Sequence, residues 1–220
     1  MSDEVDPTRD STLDSFTEAL ASGRPTPGGG SAVALAGAMA AGLTAMVVRL
    51  SMERPRYEQH ADLHAEALGA SDVARGRFLE LAEEDAAAYD SYREARRMAH
   101  GTDAEVQARA SATREAARLA ADVPLAVVQL CHRQMDLVER LAGRSNAAAA
   151  SDLDVAALLL EAAARGAAAN VLVNLPAVED EGYSAAIIAE LDQRLRQVQG
   201  AAARTHERVG RGGQRGPESA

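Results

Sequence analysis

Apolar residues recur every three or four positions along most of this chain, a spacing that predicts amphipathic helices. The first short helix begins after Ser11 and ends before Gly23, and its apolar face carries Leu13, Phe16 and Leu20. Similar spacing continues almost to the C-terminus and indicates six or seven helices. No segment combines alternating β-branched residues with turn signals, so a sheet is not expected. The pattern predicts an all-α, multihelical bundle.

A loop rich in glycine and proline precedes the most apolar part of the chain. Residues 24–30 include two prolines and three glycines, and Ser31 is a residue type favoured as the N-cap of a following helix. From Thr26 to Val48 no residue is charged. About 20 apolar residues would cross a membrane, but Ala and Gly contribute little insertion energy. We therefore expect a buried, Ala/Gly-rich central helix, and no membrane partner.

Helix breaks are expected where Pro, Gly or capping residues interrupt the pattern. They fall near residues 54–55, 100–102, 122–124, 143–151 and 176–182. Residues 58–97 are long for one helix, and Gly69 or Gly76 is a candidate break within them. We expect one helical domain over residues 11–208, with disordered tails at 1–10 and 209–220.

Composition and charge narrow the classes of function. The formal net charge of −10 disfavours a broad phosphate-binding surface, so nucleic acid is not an expected partner. The single cysteine, Cys131, excludes an intrachain disulfide. It fits a reducing, cytoplasmic location, as does the polar N-terminus without a secretory pattern. All 23 basic residues are arginine, which excludes lysine Schiff-base, P-loop and general-base chemistry.

The run Pro27, Gly28, Gly29, Gly30, Ser31 raises the question of phosphate binding. It does not fit the dinucleotide fingerprint, which requires a third glycine three residues after the second, and it lacks the lysine of a Walker loop. Glycines let a backbone lie against a flat ligand, and a helix N-terminus offers free N–H donors. A turn that permits tight helix packing explains the same residues. Both interpretations stay open at this point.

Two histidine patterns do not predict a site. His60 and His64 stand one helical turn apart, but residue 61 is alanine where the HExxH motif has glutamate, and no third ligand is identifiable. We expect a solvated polar face there and no metal. His132 follows Cys131 directly, and adjacent helical side chains point about 100° apart, so the two cannot form a nucleophile pair.

Asp85 is a carboxylate in an apolar setting. It would share one helix face with Leu81 and Tyr89, which lie four residues before and after it. Partial burial would raise the pKa of its carboxyl group and let it act as an acid or base near neutrality. The alternative is a surface acid like Glu83 and Glu84.

A second polar group begins near residue 146. Ser151 and Asp154 have the spacing of a capping pair, and Asp152 would lie in the first turn, where the helix dipole favours a carboxylate. The following amides stand among apolar neighbours and need hydrogen-bond partners, either in the core or on a ligand. They are Asn146, Asn170 and Asn174.

Four segments follow one another along the chain: SFTEALASGRPTPGGGSAVALAGAMAAGLTAMV, EEDAAAYDSY, VPLAVVQL and SNAAAASDLDVAALLLEAAARGAAANVLVNL. Together they resemble the formiminotransferase-cyclodeaminase C-terminal family, which includes free-standing methenyltetrahydrofolate cyclohydrolases. The similarity runs from about Leu13 to about Gln199. It implies an all-helical homodimer that binds a tetrahydrofolate substrate near the glycine loop, with no tightly bound cofactor.

The resemblance also implies roles for individual residues. Asp85 matches an acidic position of the family and is the first candidate for the acid/base group; Asp152 is the second. The resemblance makes Arg97 the preferred contact for the anionic glutamyl tail, at a position where it implies lysine in many members of the family. An arginine can neutralise an anion there but cannot transfer a proton. Alternatives to Arg97 for this contact are Arg49, Arg54 and Arg56. The other candidate contacts with substrate are Pro27, Gly28, Gly29, Gly30, Ser31, Asn146, Ser151, Asn170 and Asn174.

Two reactions fit the resemblance. A cyclohydrolase opens 5,10-methenyltetrahydrofolate with water to 10-formyltetrahydrofolate, and a cyclodeaminase closes 5-formiminotetrahydrofolate with loss of ammonia. We expect the cyclohydrolase, because no formiminotransferase domain accompanies this sequence. A folate-binding or assembly module without catalytic activity is the alternative from another class.

Overall fold

The structure, a computed structural model, describes residues 11–217. The predicted N-terminal tail, 1–10, and the end of the predicted C-terminal tail, 218–220, lie outside the described residues. Six α-helices are present: α1 (Leu13–Ala21), α2 (Gly29–Met52), α3 (Ala61–Arg97), α4 (Asp103–Leu141), α5 (Ala150–Asn174) and α6 (Glu181–Arg211). Short 3-10 turns cover Pro55–His60, Ala147–Ala149 and Leu175–Ala177. Residues 11–217 contain no strand, which confirms the all-α prediction.

Polar side chains cap three of the helices at their N-termini. The Thr12 hydroxyl accepts a hydrogen bond from the Ser15 N–H at the start of α1. Thr102 and Glu105 form a reciprocal capping box at the start of α4, and Asp180 caps α6. These bonds satisfy N–H groups that have no partner within their helix, so each helix begins where the sequence supplies an acceptor.

Helices α2 to α5 form a ring in which each helix packs against its two neighbours, and α6 packs against α4 and α5. The close approach of neighbouring helices depends on glycines, which have no side chain. A Cβ atom on Gly37 of α2 would lie 2.5 Å from the Phe78 ring of α3. One on Gly166 of α5 would lie 2.5 Å from a methyl group of Val33. The Ala- and Gly-rich composition therefore permits the short distances between these helices.

Helix α2 has one buried face and one exposed face, so it forms a side of the ring and is not enclosed on all sides. Ala34 and Ala41 are fully buried, whereas Met39 is 49% exposed. The segments Gly29–Met52 and Ala147–Ala177 are long and apolar enough to cross a membrane. Much of each is buried against other helices, as in the core of a helical bundle, so their length is weak support for a membrane span.

Helix α4 continues through Pro124, so the break predicted at residues 122–124 is wrong. Proline has no N–H to donate to the carbonyl group four residues earlier, which here belongs to Ala120. Asn174 of α5 supplies the missing donor, because its Nδ2 lies 2.7 Å from the Ala120 oxygen. This bond between α4 and α5 satisfies the carbonyl group that the proline leaves free.

Three further local predictions were wrong. Helix α3 is unbroken across Gly69 and Gly76, because packing along its length outweighs the low helix propensity of two glycines. Helix α2 begins at Gly29, so Ser31 lies inside the helix and is not its N-cap. Ser151 is not a cap either, because a 3-10 turn leads into α5 and the N-cap position is Ala149.

His60 and His64 do not form a solvated face, because both side chains are buried. His64 Nε2 lies 2.9 Å from the carbonyl oxygen of Arg144, in the loop that follows α4. The histidine therefore joins the start of α3 to that loop. Residues 11–217 contain no group of three or more His, Cys, Asp or Glu side chains that could hold a metal ion.

Helix α6 continues to Arg211, three residues into the tail predicted from residue 209. Beyond the helix, the Arg215 N–H donates to the Gly143 carbonyl at 2.8 Å, and Arg144 Nε donates to the Gly216 carbonyl at 2.8 Å. These bonds attach residues 215–216 to the loop after α4.

Candidate active site

The N-terminus of α2 lies against the middle of α3. A Cβ atom on Gly30 would fall 2.0 Å from Asp85 Oδ1 and 2.4 Å from its Cγ. Only a residue without a side chain lets the Asp85 carboxyl group approach the backbone this closely. The prediction that the glycine run and Asp85 belong to one site is therefore supported by direct contact between them.

Ser31 holds Asp85 and α3 in this position. Its hydroxyl group lies 3.1 Å from Asp85 Oδ2 and 3.0 Å from the carbonyl oxygen of Ala82, one turn earlier in α3. Ser31 is buried and Asp85 is half-buried. The Gly28 N-cap offers no side chain to the first N–H groups of α2, so a carboxylate from another helix lies beside this positive helix end.

Burial raises the pKa of the Asp85 carboxyl group, and hydrogen bonds from the Ser31 side chain and backbone oppose that rise. The net pKa is above the ordinary value for aspartate. A carboxylate of this kind can take up and release a proton closer to neutrality than an exposed aspartate can. The surface-acid alternative for Asp85 is therefore wrong.

The other side of the α2 N-terminus faces α5. A Cβ atom on Gly29 would lie 3.9 Å from Asn170 Nδ2, an ordinary van der Waals distance. The Asn170 amide is half-buried and donates to the Gly166 carbonyl one turn earlier at 3.2 Å. Pro27, which precedes the helix, is buried. Bare backbone at Gly28–Gly30 thus lies between a carboxylate on α3 and an amide on α5.

Asp152 and Ser151 lie at the opposite end of the bundle in the same chain. Helices α2 and α5 run antiparallel, and the α2 N-terminus contacts Asn170 near the end of α5. At roughly 1.5 Å per residue, Asp152 is about 27 Å from Asn170 along the helix axis. Within one chain the structure does not bring either residue to Asp85.

Asn146 and Asn174 have structural partners. The Asn146 N–H donates to Ser51 Oγ at 2.8 Å, and its side chain bonds Leu50 and Ala148, which joins the end of α2 to the start of α5. Asn174 bonds the Ala120 carbonyl, as described above. Both side chains bond within the bundle, which is one of the two interpretations that the sequence left open; Asn146 is buried and Asn174 is half-buried.

The predicted arginines are not at the α2 N-terminus. Arg97 is exposed at the end of α3, about 18 Å from Asp85 along the helix axis. Arg49 forms an ion pair with Asp72 near the other end of α2. Arg56 lies in the 3-10 turn that follows α2, and Arg54 directly precedes this turn.

The sequence analysis did not identify Arg93 as a candidate contact for the anionic glutamyl tail. Tyr89 lies one turn after Asp85 on α3, and the Arg93 guanidinium lies 5.9 Å from the centre of its ring. Arg93 is about 12 Å from Asp85 along the axis, nearer than Arg97. The spacing 85, 89, 93 is a run of i, i+4 positions and could have identified it.

The sequence of this chain is similar to known proteins of one family. A family model for formiminotransferase-cyclodeaminase matches residues 12–193. A methenyltetrahydrofolate cyclohydrolase of Methylorubrum extorquens is 37% identical over 199 residues, which covers 90% of this chain and 95% of that protein. A formimidoyltransferase-cyclodeaminase of Sus scrofa is 30% identical over 90% of this chain, but over only 36% of that longer protein.

A solved structure shares the fold. The crystal structure of formiminotetrahydrofolate cyclodeaminase from Thermotoga maritima matches this chain with a TM-score of 0.84 at 27% identity. The match covers 91% of this chain and 96% of that one. Similarity therefore extends over nearly the whole helical bundle, including all three helices that meet at Gly28–Gly30.

Proposed function

The chain belongs to the formiminotransferase-cyclodeaminase family, and from this we propose that it is a methenyltetrahydrofolate cyclohydrolase. The proposed reaction is 5,10-methenyltetrahydrofolate plus water to 10-formyltetrahydrofolate plus a proton. The relative that is named for this activity is 37% identical to this chain, whereas the formimidoyltransferase-cyclodeaminase of Sus scrofa is 30% identical and the solved cyclodeaminase is 27% identical. That difference favours the cyclohydrolase.

The observation that carries the proposal is the contact between Gly30 and the Asp85 carboxyl group. The methenyl bridge is a carbon between two nitrogens that share a positive charge. A carboxylate beside bare backbone suits such a group, because it can stabilise the cation and accept a proton from the attacking water. The raised pKa of Asp85 keeps its protonated form accessible for the second half of the reaction.

Asp85 takes part in two proton transfers of the proposed reaction, and a third proton is released. Asp85 removes a proton from water as the water oxygen bonds to the bridging carbon, which gives a neutral tetrahedral adduct. The protonated Asp85 then donates to N5 of the folate as the bond between the carbon and N5 breaks. The adduct hydroxyl becomes the formyl carbonyl on N10 and releases its proton, so one proton leaves overall.

The flat pterin would lie on the backbone of Gly28–Gly30, with Ser31 orienting Asp85 and Asn170 on the opposite wall. The anionic glutamyl tail needs a cation because the protein as a whole is acidic. Arg93, and Arg97 one turn further along α3, would supply that charge. We propose that no tightly bound cofactor takes part.

Cyclodeaminase activity is the second candidate, because the matching crystal structure is named for it. The two activities are separated by supplying purified protein with methenyltetrahydrofolate or with 5-formiminotetrahydrofolate and following methenyl absorbance. Enzyme-dependent loss from the first substrate supports the cyclohydrolase. Gain from the second, with ammonia release, supports the cyclodeaminase. Tight folate binding without turnover of either would contradict both and indicate a non-catalytic folate-binding protein.

The proposal includes a homodimer in the cytoplasm. Support for a dimer comes from the outer faces of α2 and α5, which pack side by side and both expose apolar residues. An exposed apolar face of this extent favours association with another protein surface.

A further inference from the structure

Helix α1 is an apolar element that makes few contacts with the other helices of residues 11–217. Ala19 is buried and Phe16 is half-buried, while Leu13 is 70% exposed and Leu20 is 39% exposed. Leu13, Phe16 and Leu20 share one face at helical spacing, and Asp14 and Glu18 lie outside it. The hydrogen bonds that its side chains make within residues 11–217 are local ones.

A helix this short does not gain stability from its own hydrogen bonds. Isolated helices below about 12 residues are marginal in water even with favourable composition, and most helical stability in proteins comes from packing of an apolar face. Thr12 caps α1, but a cap contributes only about 1 kcal/mol. The exposed part of the apolar face of α1, at Leu13 and Leu20, therefore requires a surface that the described residues of its own chain do not supply.

The same chain exposes a second apolar surface, which we call the α2–α5 face. It comprises Met39, Met46, Leu50, Val155, Leu158, Leu172 and Val173, and Val173 is 77% exposed. The exposed parts of these side chains amount to on the order of 600 Å², close to the roughly 800 Å² per partner that a stable interface buries. Arg49 and Arg165 border this face, where they pair with Asp72 and Glu161 of the same chain.

We infer that α1 of one copy docks on the α2–α5 face of a second copy, and that the exchange is mutual. Residues 22–28 connect α1 to α2 and span up to about 24 Å when extended, which is enough to cross to a neighbouring subunit. A two-fold dimer would then bury both unmatched apolar surfaces at once. The connection runs directly into Gly28–Gly30, so the backbone of each candidate active site would be anchored by the partner.

Crosslinking between differently tagged copies tests the inference directly. Cys131 is buried, so the wild-type chain should not react with the crosslinker, and only introduced cysteines should be crosslinked. A long-tagged Leu20→Cys chain and a short-tagged Leu50→Cys chain are mixed, allowed to exchange and treated with a flexible bismaleimide. We expect a crosslinked heterodimer of intermediate mass, and none when either chain is paired with the wild type. Crosslinking only within a Leu20→Cys/Leu50→Cys double variant would overturn the inference.

The strength of the dimer gives a second readout. Replacement of Leu13, Phe16 and Leu20 by serine should weaken dimerisation at least about tenfold in sedimentation equilibrium. Glu18→Gln, on the opposite face of α1, should leave the dissociation constant unchanged. Equal dissociation constants for the serine variant and the wild type, or a monomeric wild type, would contradict the inference. The inference rests on the proposed dimer and not on the reaction, and methenyl turnover is measured separately on the same proteins.

Discussion

At the scale of single residues, the pKa of the Asp85 carboxyl group beside Gly30 is subject to two opposing influences. Burial favours its protonated form, and the Ser31 bonds favour its ionised form. Burial is the larger influence, so the carboxyl group binds a proton more tightly in the folded chain than in the unfolded chain. Proton uptake and folding are therefore linked at this residue.

The linkage predicts how stability changes with pH. Because the folded pKa of Asp85 is raised, its contribution to stability is fully present below about pH 3.9 and is lost as the pH rises through the folded pKa. Asp85→Asn cannot ionise, so the unfolding free energy of the variant should rise relative to that of the wild type between pH 4 and neutrality. Urea unfolding of both proteins across this range measures the difference. Parallel curves would show that the Asp85 pKa is the same in both states.

Gly30 should not tolerate even one added carbon. In Gly30→Ala the new methyl group would meet the Asp85 carboxyl group at 2.0 Å, so the helix end or the carboxylate must move. A shift of about 1 Å near reacting groups can cost roughly 100-fold in turnover, and we expect a loss of that order. Gly69→Ala is the matched control, because no atom lies near its added carbon. It should keep full turnover and gain about 0.5–1 kcal/mol of stability.

At the scale of helices, Pro124 and Asn174 act as a pair. The proline removes one hydrogen bond from α4, and the amide of α5 donates to the carbonyl that is left free. Asn174→Ala should cost about 1 kcal/mol of unfolding free energy, because a half-buried carbonyl group loses its donor. Its effect on KM and kcat should be small, since the amide is occupied within the core.

A double-mutant cycle isolates this pair. Pro124→Ala restores a backbone N–H that can reach the Ala120 carbonyl, so Asn174→Ala should cost about 1 kcal/mol less in that background than in the wild type. Chemical unfolding of the four proteins gives the coupling energy. Equal costs in both backgrounds would mean that Asn174 does not compensate for the proline.

Sequence patterns predicted which segments are helical but not where each helix ends. Helix α4 continues through a proline because its replacement donor is 50 residues away, and no local rule contains that information. Ser31 looked like a cap because capping rules are local. Its actual role depends on Asp85, which approaches from another helix. Local propensity was outweighed by packing in both cases.

The same limit applied to the candidate site. Spacing of four residues around Asp85 predicted partial burial, and that was confirmed. The antiparallel register of α2 and α5 determines which end of α5 faces the glycine loop, and a single sequence does not show register. Asp152 and Ser151 were therefore placed with Asp85, whereas Asn170, at the other end of α5, is the residue beside Gly29.

At the scale of the whole molecule, small residues let three helices meet at one point, and similarity to folate enzymes extends over nearly the whole bundle. The similar proteins are named as cyclohydrolase and cyclodeaminase enzymes, which indicates catalysis and not folate binding alone. The position of Asp85 against bare backbone supports this, because a half-buried carboxyl group with a raised pKa can transfer protons closer to neutrality than an exposed one.

The most direct test of this account compares turnover and binding in one carboxylate variant. Asp85→Asn keeps the size of the side chain and removes its charge. With 5,10-methenyltetrahydrofolate, we predict a rate of absorbance loss about 10²- to 10⁴-fold below that of the wild type at saturating substrate, and a smaller loss of affinity because the charge beside the methenyl cation is removed. Glu94→Gln, an exposed residue on the same helix, should match the wild type. Wild-type turnover by Asp85→Asn would contradict the central claim that this carboxylate transfers the proton.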